Sequence, residues 1–177
     1  MEANPGGAPC NVLAMLQKLG KKTAFIGKVG NDMFGNQLKK AVEEVGIDTR
    51  NLIMDHKHHT TLAFVHTYPD GDRDFSFYRD PGADMMLTKE EVQKELIEDS
   101  RIFHFGTLSS THEGVREATR HAIELAKEAG LQICLDMASY NIVANDLEFF
   151  TLLINKYVDI VFANEEEAKA FTGMEPE

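Results

Sequence analysis

Basic residues are scarce in this sequence. Eighteen lysines and arginines stand against 29 aspartates and glutamates, a formal net charge of −11. No basic stripe is left to grip nucleic acid or an anionic membrane, so neither is an expected partner. Long apolar runs are missing too: none nears the roughly 18 residues of a spanning helix. The first residues, Met1, Glu2 and Ala3, do not follow the charged-then-apolar pattern of a secretory leader. Only two cysteines occur, Cys10 and Cys134, far apart and each in apolar surroundings. That usage reads as buried free thiols in a reducing cytoplasm. Internal repeats and low-complexity stretches are absent as well.

Two phosphate-binding signatures also fail. Gly20-Lys21-Lys22-Thr23 looks like the tail of a P-loop, but Met15 stands where that pattern needs glycine and Lys22 where it needs Ser or Thr. Gly27, Gly30 and Gly35 have too long a first gap for a dinucleotide fingerprint. Phosphates, if bound, are bound by another device.

What remains is 43% hydrophobic and 27% charged over 177 residues, enough for one globular domain with a real core. A βα rhythm runs through most of it. Val12, Leu13, Met15, Leu16 and Leu19 predict one apolar face of a helix that Gly20 ends. Thr23 to Val29 reads as a buried strand. Phe34, Leu38, Val42 and Val45 face inward from a second helix stopped by Gly46. The periodicity then changes. Thr61–Tyr68 and Asp74–Arg79 flank Pro69-Asp70-Gly71-Asp72 and predict a β-hairpin. Leu62, Phe64, His66 and Tyr68 share one face, and Phe75, Phe77 and Arg79 share one on the second strand. Mixed aromatic and polar faces suit a cover over a ligand.

The βα rhythm returns at Thr88. Thr88 and Glu91 have capping-box spacing for a helix over "TKEEVQKELI". "RIFHFGTLS", "LQICLD" and "VDIVFA" read as strands, alternating with the helices "HEGVREATRHAIELAKEAG", "DLEFFTLLINKY" and "NEEEAKAFTG". Short apolar strands between helices imply a mostly parallel sheet, and ligands on such sheets collect at the strand carboxyl ends. The residues to question are therefore Asn31, Asp32, Thr107, Ser109, Asp136 and Asn164.

His56, His58 and His59 cluster before the hairpin, but no carboxylate or cysteine stands at ligand spacing beside them, which disfavours a metal. Asn164-Glu165-Glu166-Glu167 has two readings. Asn and the third-position Glu make a capping box, with acids favoured at the positive helix end. The same Asn164 and Glu167 could hold a hydrated Mg²⁺, which takes few protein oxygens and several waters. Gly6-Gly7 is either a plain turn or a place where a ligand meets the backbone.

Together these pieces resemble the ribokinase family of sugar and nucleoside kinases, the PfkB carbohydrate kinases. The motif residues are Gly6, Gly7, Asn11, Gly20 and Gly30, with Leu13 where a small residue is usual. "FIGKVGNDMFG" and "YRDPGADMML" are similar to the fructokinase branch. "LDMASYN" departs from that branch's Asp-Pro-Asn-Xaa-Arg and, with "VDIVFANEEEAKAFTG", looks more like adenosine-kinase-type members.

The resemblance implies a ribokinase-like three-layer α/β/α core with a mostly parallel sheet and a small β lid. Residues 1–50 and 84–177 would form the core and 51–83 the lid. It implies transfer of the γ-phosphoryl of ATP to a sugar hydroxyl, with fructose the first candidate. A nucleoside acceptor and a non-catalytic sugar-binding module are the alternatives. Gly6, Gly7, Asn11 and Arg79 would bind the sugar, and Asn164 and Glu167 would place Mg²⁺ and ATP. The family's catalytic base lies beyond the position of Glu177, and its first strand precedes the position of Met1. The resemblance therefore implies an internal piece of a kinase, inactive by itself, whose full-length form pairs through the lid as a homodimer.

Overall fold

The computed structural model describes residues 4–68 and 73–174. The turn residues Pro69 to Asp72 lie outside the described residues. The elements run α1 (Ala8–Lys18), β1 (Ala24–Gly30), α2 (Met33–Val45), β2 (Asp48–Asp55), β3 (Leu62–Thr67), β4 (Arg73–Tyr78), α3 (Lys94–Glu98) and β5 (Ile102–Gly106). They continue as α4 (Glu113–Glu128), β6 (Gln132–Asp136), α5 (Tyr140–Asn145), α6 (Leu147–Tyr157), β7 (Ile160–Phe162) and α7 (Glu165–Thr172). No helix among the described residues is long and apolar enough to cross a membrane.

The core strands are parallel, as the βα rhythm predicts. β1 pairs with β2, and β6 lies between β5 and β7. The two groups are not hydrogen-bonded to each other. β3 and β4 form a separate antiparallel hairpin, with Leu62 opposite Tyr78 and Phe64 opposite Ser76. Phe64 and Tyr78 meet edge to face at 5.7 Å.

The main core gathers on α4. Val115, Ala118, Ala122, Ile123 and Ala126 recur at helical spacing and are buried with Phe105, Ile133, Leu135, Val143, Phe150 and Leu153. Ile123, Ile133 and Leu135 are fully enclosed. Each such side chain contributes about 1.5–3 kcal/mol of transfer free energy. Helix ends follow local chemistry. The Asp32 carboxylate caps α2 by accepting from the Gly35 N–H at 2.8 Å, and Gly46 closes the helix at φ 93°. Gly35 also sits against the Gly30 carbonyl, where a Cβ would overlap backbone.

Three expectations are corrected. α1 does not bury a full apolar face: Met15 and Leu19 are exposed, and none of its residues is fully buried. The helix expected over "TKEEVQKELI" splits into a 3₁₀ turn at Lys89–Glu91 and the short α3. The Thr88–Glu91 capping box is present, but Val92 turns extended and the Gln93 N–H donates to Asn51 Oδ1 at 2.8 Å instead of continuing the helix. β2 is an added strand. Asn51–Asp55, grouped with the lid on sequence, pair with β1. Its Asn51 is fully buried because its amide satisfies the 91–93 backbone: Nδ2 donates to the Glu91 carbonyl at 2.7 Å.

Candidate active site

The strand carboxyl ends bring four polar segments to one edge. Asn31 and Asp32 follow β1, Thr107–Ser110 follow β5, Asp136 ends β6 with Met137 and Ala138 after it, and Asn164 follows β7. Parallel pairing sets their order, since Gly106 lies opposite Asp136 and Asp136 opposite Phe162. The Thr107 hydroxyl, fully buried, donates to the Met137 carbonyl at 2.5 Å and fastens the β5 end to the β6 end. A side chain on Gly106 would touch the Pro9 ring, so the start of α1 lies near the same edge.

Gly7 stands at the head of α1 with φ 119° and ψ 120°, a conformation that favours glycine. No side chain caps this helix. Gly6, Gly7 and Asn11 are all exposed, and the Asn11 N–H donates to the Gly7 carbonyl at 2.9 Å. The glycine turn is thus open, with the Asn11 side chain one helical turn on. Ala138 is the one non-glycine residue with positive φ among the described residues, at 50°, and its N–H donates to Asp136 Oδ1 at 3.1 Å. Strained backbone of this kind gathers at functional strand ends.

Arg79 follows β4 at the foot of the hairpin. Its Nε donates to Asp84 Oδ2 at 2.7 Å and one terminal nitrogen pairs with the same oxygen at 2.6 Å. The other terminal nitrogen donates to the Thr111 hydroxyl at 2.7 Å. The opposite foot is held at Thr60, whose N–H and hydroxyl each donate to the Asp32 carboxylate at 2.8 Å. Burial opposes ionisation of Asp32. Donors from Thr60, Gly35 and Phe34 outweigh it and hold the carboxyl below its ordinary value.

A second charged cluster lies beside this edge. Lys28 Nζ donates to Glu91 at 2.7 and 2.9 Å and to the Met86 carbonyl at 3.1 Å, and stands 3.8 Å from Asp55. Asp55 is buried, which opposes its ionisation. The Lys57 and His58 N–H groups, the His58 ring and the Lys28 charge nonetheless bring its carboxyl down to about 2. These residues, with His56 and Lys57, line a shallow cleft. No group of three His, Cys, Asp or Glu among the described residues is arranged to hold a metal.

Asn164 and Glu167 form the capping box. Asn164 Oδ1 accepts from the Glu167 N–H at 2.8 Å and Glu167 Oε2 accepts from the Asn164 N–H at 2.9 Å. Glu167 is 7% exposed. A carboxylate and an amide oxygen at a strand end are hard donors of the kind Mg²⁺ takes together with water. The pair fits a hydrated ion held through its waters and supplies too few ligands for a dry cage. Sequence reasoning passed over Asp84 and Thr111, the partners of Arg79. The signal for Asp84 was its place in "YRDPGADMML"; nothing local marked Thr111.

Parallel βα units with polar strand ends on one edge, and a β-hairpin rooted at that edge, define a ribokinase-like α/β core. The chain belongs to the pfkB family of carbohydrate kinases, which it matches over residues 1–177. It is similar to fructokinase-1 of Zea mays, 38% identical over 174 residues, which is 97% of this chain and 54% of that protein. Among solved structures it is similar to adenosine kinase of Sinorhizobium meliloti, at a TM-score of 0.88 and 26% identity over 97% of this chain and 52% of that one. A Pyrococcus horikoshii sugar kinase in complex with ATP gives a TM-score of 0.86 and 30% identity over 98% of this chain and 59% of that one. The chain spans about half the length of the relatives it matches.

Proposed function

We propose that this chain forms the acceptor-binding part of an ATP-dependent sugar kinase, with fructose as acceptor. The observation that carries the reading is the approach of the open Gly6-Gly7 turn and Asn11 to the end of β5, where a side chain on Gly106 would touch Pro9. Glycine lets main-chain groups reach sugar hydroxyls, and the Asn11 amide can both donate and accept. Arg79 reaches the loop after β5 from the hairpin foot. The likeness to maize fructokinase-1 supports fructose. Likeness to an adenosine kinase, together with "LDMASYN" after β6, favours a nucleoside acceptor as second reading.

Phosphoryl transfer depends on positioning and charge neutralisation. The acceptor turn orients the hydroxyl. The hairpin excludes water, which would compete as acceptor. Asn164 and Glu167 would hold the water shell of Mg²⁺, which supplies charge neutralisation on the ATP phosphates when bound. The reading assigns no general base among residues 1–177. The free thiols of Cys10 and Cys134 are in keeping with a reducing, cytoplasmic setting.

The test is ADP release with fructose, ribose and adenosine, in a protein of the relatives' length that contains this chain. Fructose is expected to turn over fastest, and Asn11→Ala to raise the KM for sugar about tenfold through loss of a hydrogen-bonding amide. Preference for adenosine moves the assignment to the second reading, and no release with any acceptor overturns both.

A further inference from the structure

We propose that Arg79 is a positioning residue that couples the hairpin to the β5–α4 loop, and not itself a ligand of the acceptor. The functional meaning of this rests on the kinase reading above; the coupling itself does not. The Arg79 side chain is only 14% exposed, and each of its three nitrogens has a protein partner. One arm closes the hairpin. Asp84 takes Arg79 on Oδ2 and the Thr61 hydroxyl on Oδ1, so a single carboxylate holds both feet. The Ala83 N–H adds a bond to the His59 carbonyl at 2.8 Å.

The other arm leaves the hairpin. It reaches the Thr111 hydroxyl at 2.7 Å, and the terminal nitrogen that pairs with Asp84 adds a bond to the Leu108 carbonyl at 3.2 Å, both acceptors lying in the loop after β5. That loop begins at Thr107, bonded to Met137, and adjoins Gly106, beside which Pro9 of α1 lies. A shift of the hairpin foot is therefore carried to two walls of the proposed acceptor pocket. Guanidinium suits the task because its planar fork serves two directions and its charge is permanent. The donors of a lysine all radiate from one atom, so it lacks the span of the fork between Asp84 and the Thr111 hydroxyl.

The experiment is amide hydrogen exchange on the chain and on Arg79→Ala, Arg79→Lys and Thr111→Val. Arg79→Ala is expected to speed exchange about tenfold in β3 and β4 and also at Leu108–Thr111, leaving β1 and β2 unchanged, as loss of a charge-assisted bond implies. Thr111→Val, outside the hairpin, is expected to speed exchange in β3 and β4. Arg79→Lys should restore hairpin protection but not that of the loop. An Arg79→Ala effect confined to the hairpin, or a Thr111→Val effect confined to the loop, overturns the coupling. In the turnover assay Arg79→Ala should lower kcat with the sugar KM within about threefold; a raised KM at unchanged kcat marks a direct ligand and overturns the proposal. Absence of turnover in the unsubstituted protein sinks the kinase reading and leaves the exchange result standing.

Discussion

Replacing Asp55 by Asn should remove a defined pH dependence from the stability of the chain. The Asp55 carboxyl is held at about 2, against an ordinary value of 3.8. Each unit of difference is about 1.4 kcal/mol, so the ionised group contributes about 2.5 kcal/mol at neutral pH. The folded value is the lower one. The unfolded chain therefore binds more protons in between, and stability rises with pH. The contribution is complete above the unfolded value and is lost as pH falls through about 2. Of the whole, about 1.5 kcal/mol should disappear between about pH 5 and pH 2.5.

An asparagine keeps one oxygen for the Lys57 or His58 N–H but has no charge to lose. Asp32 and Asp48 are also held low and add slopes of their own. The quantity to read is thus the difference between the unsubstituted chain and Asp55→Asn, from urea titrations followed by circular dichroism at several pH values. That difference should shrink by about 1.5 kcal/mol on acidification. A difference constant across that range refutes the reasoning and returns the Asp55 carboxyl to the ordinary range.

Ala138→Gly should stabilise the chain. A left-handed alanine costs about 1–2 kcal/mol and the extra freedom of glycine in the unfolded chain returns about 0.5–1. The net is a gain of about 0.5 kcal/mol and a Tm rise of about 1–2 °C, and a fall in Tm contradicts it. The hairpin exposes Phe64, Val65, Phe77 and Tyr78, so pairing through it into a dimer is expected. Light scattering on a protein of the relatives' length that contains this chain should give twice its monomer mass, and Phe64→Glu should halve it; a monomer at about 100 μM without the substitution refutes this.

Most of the helices and parallel strands were legible because their apolar periods are long and their ends carry strong punctuation. α2 runs from an Asp cap to Gly46, and α7 from the Asn164 box to Gly173 at φ 70°. β2 was not legible. "DTRNLIMD" has charged ends, a polar first half and only three successive apolar residues, and it becomes a strand through tertiary partners that no local pattern announces. The helix over "TKEEVQKELI" failed for the same reason, because buried Asn51 captures the Gln93 N–H. At the site, the glycine turn and the Asn164–Glu167 pair were visible as motifs. The Arg79 network was not, since Thr111 lies 32 residues away in sequence.

The buried Asn51 amide also acts as a key for strand alignment. Hydrophobic faces alone distinguish poorly between β2 and the same strand slid by two positions, because the side-chain alternation is unchanged. In that slid pairing Ile53 or Thr49 would stand where Asn51 now meets the Glu91 carbonyl and the Gln93 N–H. Those two main-chain groups would then lose their partners, at up to about 1–3 kcal/mol for one that water does not reach. The amide therefore acts mainly as a penalty on wrong alignments, sorting them out while the chain is still choosing among compact arrangements.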